Sequence, residues 1–443
     1  MDVAVNVEKD RPSLASLSGW GHSGFHAPRE PWPTLGLLAL LIVPFILDIA
    51  FIQGRPRHIN DIVNWRNAAI DFFAPPVENI YAEHPAVLYP PFWLTIYYPL
   101  TLVSQTAAIY IYEVIKWVVF VVALRCGWRL VSPVDEDPPP VVTVTSLLMT
   151  ARFLENDFSN GNVNVHIIAL IFGACWLVRH QWRWAAGFVL SVGVAIKLTP
   201  ALFIVYFGYK REWRTAVAAI LGTAILLLVV PVPFVGWQAN WTGLQDWHRH
   251  VVEDYVESGQ IHSLHTNQSV VALMNRLFGP SVGITASVHD PQARYITIVE
   301  LSQRGRDVLR YAIVAGTMGL LAWCCRGRLD AKRRPLAFAA EVSLVLIAML
   351  MFSGFSWKAT FVSMLLPYAV LIAYLADVRY TERRRFAAIA LAVSFAFGTL
   401  TCDIITPTGA NYAEAFGLIL ASALVAGIGM IVIRAQLRES TPG

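Results

Sequence analysis

The chain has 443 residues, 56% of them hydrophobic and only 14% charged, with a formal charge of +4 and a mean hydropathy of +0.53. A soluble domain carries about 25% charged residues, so water is excluded as its main solvent. The basic residues form short clusters between apolar segments, a pattern that reports membrane topology and excludes a nucleic-acid surface.

Five cysteines (Cys126, Cys175, Cys324, Cys325 and Cys402) include no CxxC pair, so neither a disulfide framework nor a metal site is expected. The N-terminal stretch is polar and lacks an apolar core ahead of a small-residue cleavage site. It reads as a disordered cytoplasmic tail over 1–33 rather than a cleavable signal peptide.

A bilayer core needs about 20 apolar residues per helical crossing, and closed helices satisfy their backbone inside lipid. The expected fold class is therefore all-α, a polytopic membrane helix bundle of about twelve transmembrane helices in one domain over 34–435. A cytoplasmic tail, 436–443, follows. The apolar segments fall near 35–53, 92–106, 108–124, 139–155, 163–178, 184–208, 214–235, 308–324, 336–354, 359–376, 386–402 and 412–433. Polar residues gather in loops 54–91 and 236–306.

Lys/Arg excess at Arg326–Arg334, Arg379–Arg385 and Arg434–Arg438 places those loops in the cytoplasm. The two large loops then face the other side. With twelve spans the clusters Arg125–Arg129 and Arg179–Arg183 land on the non-cytoplasmic side, against the rule, which points to a broken or re-entrant helix in this half. Lys197-Leu-Thr-Pro200, inside the run 184–208, is where such a break is expected.

Asp61 lies just past the first apolar segment, in Ile59-Asn-Asp-Ile-Val-Asn-Trp-Arg-Asn67. A carboxylate there, beside Arg66, can act as general base on an acceptor hydroxyl, or it can cap a helix. Tyr89-Pro-Pro91 starts a helix. Asn160-Gly-Asn-Val-Asn164 offers amides, Asn162 and Asn164 among them, that either bind sugar hydroxyls or cap helices. Lys197 is a costly cation in an apolar run, suited to a lipid-linked phosphate, with snorkelling to an interface as the alternative. The stretch from Asp246 to Ser269 holds His248, His250, His262 and His265 with Asn267 and Gln268. Its histidines lack the i,i+4 spacing of a metalloprotease helix.

Five of these strings, in order, resemble glycosyltransferase family 87, the polyprenyl-phosphate-mannose-dependent alpha-mannosyltransferases of the GT-C fold. They are Asp61 to Ala68, Tyr89 to Pro91, Gly161-Asn-Val-Asn164, Lys197-Leu-Thr-Pro200, and Asn267-Gln-Ser269 followed by Asn275-Arg-Leu277. The resemblance implies an inverting sugar transfer on the non-cytoplasmic face of the plasma membrane, with Asp61 as catalytic base and no cofactor. The donor would be a polyprenyl-phosphate sugar, mannose by default, and the acceptor a glycolipid or glycan. Lys197, Arg276 and Lys358 are the candidates for stabilising the departing phosphate, with Arg66, Tyr89, Asn162, Asn164, His265, Asn267, Gln268 and Trp357 as further substrate-binding residues. Where the family has a late-loop Ser-Trp-x-His-His, this chain reads Ser356-Trp-Lys-Ala-Thr360, so Lys358 or His265 must stand in, or the donor sugar differs. The alternatives are a secondary transporter, which would place polar residues near the middle of several spans, and a non-catalytic relative acting as a partner-binding subunit.

Overall fold

A computed structural model describes residues 31–51, 60–74, 79–133, 136–257, 263–285, 292–328, 330–402 and 406–439. Residues 1–30 of the expected tail 1–33, His262 and part of the first loop lie outside them. Residues 1–46 and 47–443 form two compact units. The described part of the first belongs to α1 (Pro31–Phe51), an apolar helix carrying Pro44 in its interior.

The second unit is almost wholly helical. Its first loop holds α2 (Asn60–Phe73), α3 (Ile80–Glu83) and α4 (Pro91–Tyr97), the last continued by a 3-10 segment to Leu102. Then come α5 (Gln105–Leu130), α6 (Pro140–Ser159), α7 (Asn164–Arg179), α8 (Arg183–Ile196), α9 (Ala201–Tyr209), α10 (Trp213–Leu228), α11 (Val232–Val235) and α12 (Trp237–Trp247). A π-helical segment, His248–Glu257, leads towards α13 (Val270–Phe278) and a two-stranded antiparallel sheet, β1 (Val282–Ile284) and β2 (Arg294–Tyr295). The C-terminal half contains α14 (Gln303–Cys324), α15 (Pro335–Phe352), α16 (Leu365–Ala376), α17 (Arg384–Leu400), α18 (Pro407–Ala415) and α19 (Leu418–Glu439).

Among the described residues five helical stretches are long and apolar enough to cross a bilayer: Gln105–Leu130, Trp213–Val235, Gln303–Cys324, Pro335–Phe352 and Lys358–Ala376. The pair Pro407–Ala415 and Leu418–Arg434, bent by 56°, makes a sixth. The chain is thus a multi-pass membrane protein, and these stretches support about half of the expected dozen.

One segment departs from the sequence expectation, and a second breaks where the sequence places a break. The segment expected to cross at 92–106 is a seven-residue helix and a 3-10 turn, too short for a bilayer at 1.5 Å per helical residue. The run 184–208 breaks where Lys197 interrupts it. α8 ends with Lys197 in an extended conformation, and α9 starts only after Pro200, which fixes its own φ and lacks an N–H.

Close packing of α8 on α10 depends on small residues, as membrane helix pairs do. A Cβ on Gly187 would sit 2.4 Å from the Thr215 carbonyl, and one on Gly222 would sit 2.4 Å from Ser191 Oγ. At the far end of α9, Lys210 Nζ lies 2.9 Å from Glu341 Oε2 and donates to the Cys325 carbonyl at 2.8 Å. Tyr206 donates to the same carboxylate at 2.9 Å and Arg434 pairs with its other oxygen. This buried cluster ties α9, α15 and α19 to the end of α14.

Candidate active site

Asp61 occupies the first turn of α2, an amphipathic helix too polar to be a span. Ile62, Trp65, Ala68 and Ala69 form its buried face, the i, i+3, i+6, i+7 spacing of a helix laid on a core. Trp65 anchors that face. Its indole meets Tyr89, Trp93, Tyr97 and Tyr112 edge-on at centroid distances of 5.3, 5.1, 6.0 and 5.7 Å, geometry favoured by the ring quadrupole. Arg66 points the other way and donates to the Val103 carbonyl at 3.0 Å. It pins the end of the 3-10 segment.

Beneath α2 is a polar network built from three helix ends. Lys116, wholly buried on α5, lies 2.9 Å from Asp157 Oδ1 and donates to the Asp157 carbonyl at 2.7 Å. Asp157, wholly buried on α6, accepts from Asn164 Nδ2 at 3.1 Å through its other oxygen. Asn164 also donates to Asn162 Oδ1 at 2.9 Å, and its own Oδ1 accepts from Lys197 Nζ at 2.9 Å. The turn Asn160–Val163 is held by further bonds: Asn162 N to the Asp157 carbonyl at 2.9 Å, and Tyr112 OH to the Asn162 carbonyl at 3.3 Å.

Asp61 sits in the electrostatic reach of this network and is held by no hydrogen bond among the described residues. Burial pushes its carboxyl up to about 6. The cations Lys116 and Lys197 pull it down, and Asp157 pushes it up. A carboxylate poised there is a competent base near neutral pH. Its charges balance as two acids, Asp61 and Asp157, against two ammonium groups. Lys116 pairs directly with Asp157, while both lysines act on Asp61 electrostatically.

The remaining predicted residues fall elsewhere. Arg276, wholly buried on α13, donates Nε to the Ala415 carbonyl at 3.0 Å, and Nη1 to those of Leu264 at 2.7 Å and Asn267 at 2.6 Å. Asn267 accepts from Ser269 N and Ser356 N, each at 3.1 Å, and donates to the Gly354 carbonyl at 3.0 Å. Gln268 donates to the carbonyls of Glu414, at 2.8 Å, and His265. These three buried side chains knit the loop 263–269 to the loop 353–357 and to α18. Lys358 pairs with buried Glu414, which Arg152 also approaches at 3.7 Å. His265 lies near Lys358 and Arg276, and burial followed by these two cations lowers its basicity. Trp357 packs on Phe355 at 4.9 Å, and its indole N–H has no partner among the described residues.

The predicted set therefore divides. Asp61, Tyr89, Asn162, Asn164 and Lys197 share one site, whereas Arg276, Lys358, His265, Asn267, Gln268 and Trp357 belong to a second cluster. Lys116 and Asp157 complete the first site, yet sequence reasoning did not place them there. The rule that singled out Lys197, an ionisable group inside an apolar run, applies equally to Lys116 in the middle of α5. Away from both clusters, Asp71, Glu83 and His84 bring three potential ligand atoms within 4.8 Å of one another. His84 Nε2 lies 2.7 Å from Asp71 Oδ2 there, a surface pair in its own right.

Comparison with known proteins agrees with this architecture. The profile of glycosyltransferase family 87 matches residues 88–354, more than half the chain, and the chain belongs to that family. It is a membrane glycosyltransferase. It is 24% identical over 382 residues to a polyprenol-phosphate-mannose-dependent alpha-(1-2)-phosphatidylinositol mannoside mannosyltransferase of Mycolicibacterium smegmatis, covering 79% of this chain and 77% of that protein. A protein of the same description from Mycobacterium tuberculosis is 27% identical over 243 residues, 54% of this chain and 46% of its own length. A phosphatidylinositol pentamannoside mannosyltransferase of that species is 27% identical over 224 residues, 49% of each chain. No solved structure matches. The matched region contains Lys116, Asp157, Asn162, Asn164 and Lys197, while Asp61 precedes it.

Proposed function

We propose that this protein transfers mannose, with inversion, from a polyprenyl-phosphate-linked donor to a lipid-anchored glycan acceptor on the non-cytoplasmic face of the plasma membrane. The observation that carries the reading is that Asp61, which has no hydrogen-bond partner among the described residues, lies within electrostatic reach of Lys197, a cation fixed by Asn164. One group takes a proton and the other receives a phosphate.

In this reaction an acceptor hydroxyl attacks the anomeric carbon as Asp61 removes its proton. The bond from that carbon to the phosphate oxygen breaks, and polyprenyl phosphate departs with the electron pair. The Lys197 ammonium offsets the charge that grows on the phosphate, a contribution strongest where water is excluded. Donor and acceptor chemistry follow the relatives' substrates, a polyprenol-phosphate-mannose and a phosphatidylinositol mannoside. The second cluster, around Arg276 and Lys358, holds the 263–269 and 353–357 loops in place.

The break in α8–α9 supports the topology that this reading needs. If α4 stays at the surface and α8 and α9 form a re-entrant hairpin with Lys197 near its tip, two of the twelve expected crossings are lost and ten remain. Arg125–Arg129, Arg179–Arg183 and Lys210–Arg214 then all face the cytoplasm, in keeping with the positive-inside rule. The return of α9 to Glu341 and Arg434, beside the cytoplasmic clusters that follow α14 and α19, fits this arrangement. Asp61, Asn162 and Lys197 then share the opposite face. Transfer of labelled mannose from a polyprenyl-phosphate donor to a phosphatidylinositol mannoside, by purified protein in nanodiscs, tests the assignment. Absence of transfer under conditions in which the mycobacterial relative is active would contradict it.

A further inference from the structure

α12 lies across the end of a bilayer-length helix. The apolar stretch Trp213–Val235 has 23 residues, and Gly236, at φ +81°, turns the chain in the left-handed region that favours glycine. Asn240, buried on α12, donates from Nδ2 to the Leu227 carbonyl at 2.9 Å. It thereby satisfies one of the carbonyls that the C-terminus of α10 leaves unpaired. Gly243 brings α12 against the first loop, where a Cβ would lie 3.2 Å from both Phe72 and Pro91. Trp247 Nε1 donates to the Leu88 carbonyl at 3.2 Å. One face of α12 thus grips both the span end and the α2–α4 assembly that carries Asp61.

A flanking face is aromatic and exposed among the described residues. Trp237 and Trp241 are 56% and 46% exposed, with rings stacked at 6.2 Å and 8°. Phe234, one turn earlier, is 62% exposed. This stripe continues the exposed apolar surface of Ile225 and Val229 on the span. Gln238, Thr242, Gln245 and Arg249 lie exposed on the same helix and its continuation. An apolar stripe with indole N–H groups, set level with the end of a span, matches the headgroup boundary of a bilayer, where tryptophan concentrates.

We infer that Phe234, Trp237 and Trp241 seat α12 in the lipid headgroup region of the non-cytoplasmic leaflet, and that α12 thereby fixes the depth of Asp61 relative to the membrane. The partner is the bilayer itself. Continuity with the span favours it over a second protein copy.

Tryptophan fluorescence of the full chain in phosphatidylcholine/phosphatidylglycerol nanodiscs tests the placement. The emission lost on Trp237→Phe/Trp241→Phe should be quenched more by lipid brominated near the headgroup than by lipid brominated deep in the acyl chain. A lost component quenched by aqueous acrylamide and by neither lipid would overturn the inference, as would one protected from every quencher, which would indicate a protein partner. The depth claim rests on the mannosyl-transfer reading and has its own readout. In nanodiscs Trp237→Ala/Trp241→Ala should lose transfer from a long-chain donor while Trp237→Tyr/Trp241→Tyr keeps it, with equal thermal stability of all three in detergent. Retained transfer by the alanine pair would overturn the depth claim, and an inactive wild-type protein would instead count against the proposed function.

Discussion

Lys197 Nζ donates to Asn164 Oδ1 at 2.9 Å, which joins the break after α8 to the first residue of α7. Through Asn164 the same ammonium is linked to Asp157 and so to Lys116 on α5. The position of the proposed phosphate-facing cation is therefore set by three helices that meet beneath Asp61. Lys197→Met should reduce kcat/KM for the donor far more than it reduces stability, and Lys197→Arg should recover part of the loss. Steady-state kinetics at varied donor concentration, with thermal unfolding as control, measure both.

Lys116 and Asp157 form an ion pair with both side chains fully buried. Removing one partner of such a pair leaves an uncompensated charge and costs about 3–5 kcal/mol, while replacing both by apolar residues is often neutral. Lys116→Met and Asp157→Leu should each lower the unfolding temperature in detergent sharply. The double variant should recover most of it.

The proposed base also predicts a pH profile. Asp61 acts only when deprotonated, so kcat/KM should rise with pH through about 6 and level off above it. Lys116 lowers the Asp61 carboxyl, so a folded variant without that ammonium should shift the rising limb towards alkaline pH. A limb that stays in place would show that another group titrates.

Arg276 satisfies four carbonyls, those of Ala415, Ser263, Leu264 and Asn267. Each buried acceptor left bare costs about 1–3 kcal/mol. Arg276→Gln should therefore destabilise the protein, while the folded fraction keeps kcat within a few-fold of the wild type. Unfolding curves together with active-fraction-corrected rates separate this outcome from a catalytic role.

Much of the fold was legible from composition, because the long apolar runs other than 92–106 are mostly helical and clusters such as Arg326–Arg334 lie between helices. The break at Lys197 was legible too, since a lysine followed three residues later by proline cannot continue smoothly inside lipid. What the sequence hid was distance. Tyr98-Pro99 and the following 3-10 turn stop α4 after seven residues, though the segment is as apolar as a span. Asn162 and Asn164 read as amides able to cap a helix or bind a sugar, yet one partner, Asp157, is set by a tight turn around Gly161 at φ +64°, and the other, Lys197, by the packing of α7 on α8. The same hidden geometry separates Arg276 and Lys358 from Asp61. All three are polar residues of loops or helix ends, and only tertiary packing distributes them between two clusters.

The central claim is that Asp61 removes the acceptor proton. Its direct test compares wild type, Asp61→Asn and Asp61→Glu for transfer of labelled mannose from a polyprenyl-phosphate donor in nanodiscs. Asp61→Asn should fold with wild-type stability and lose roughly 10²- to 10⁴-fold in kcat, and Asp61→Glu should retain a measurable fraction. Wild-type turnover by Asp61→Asn would contradict the account.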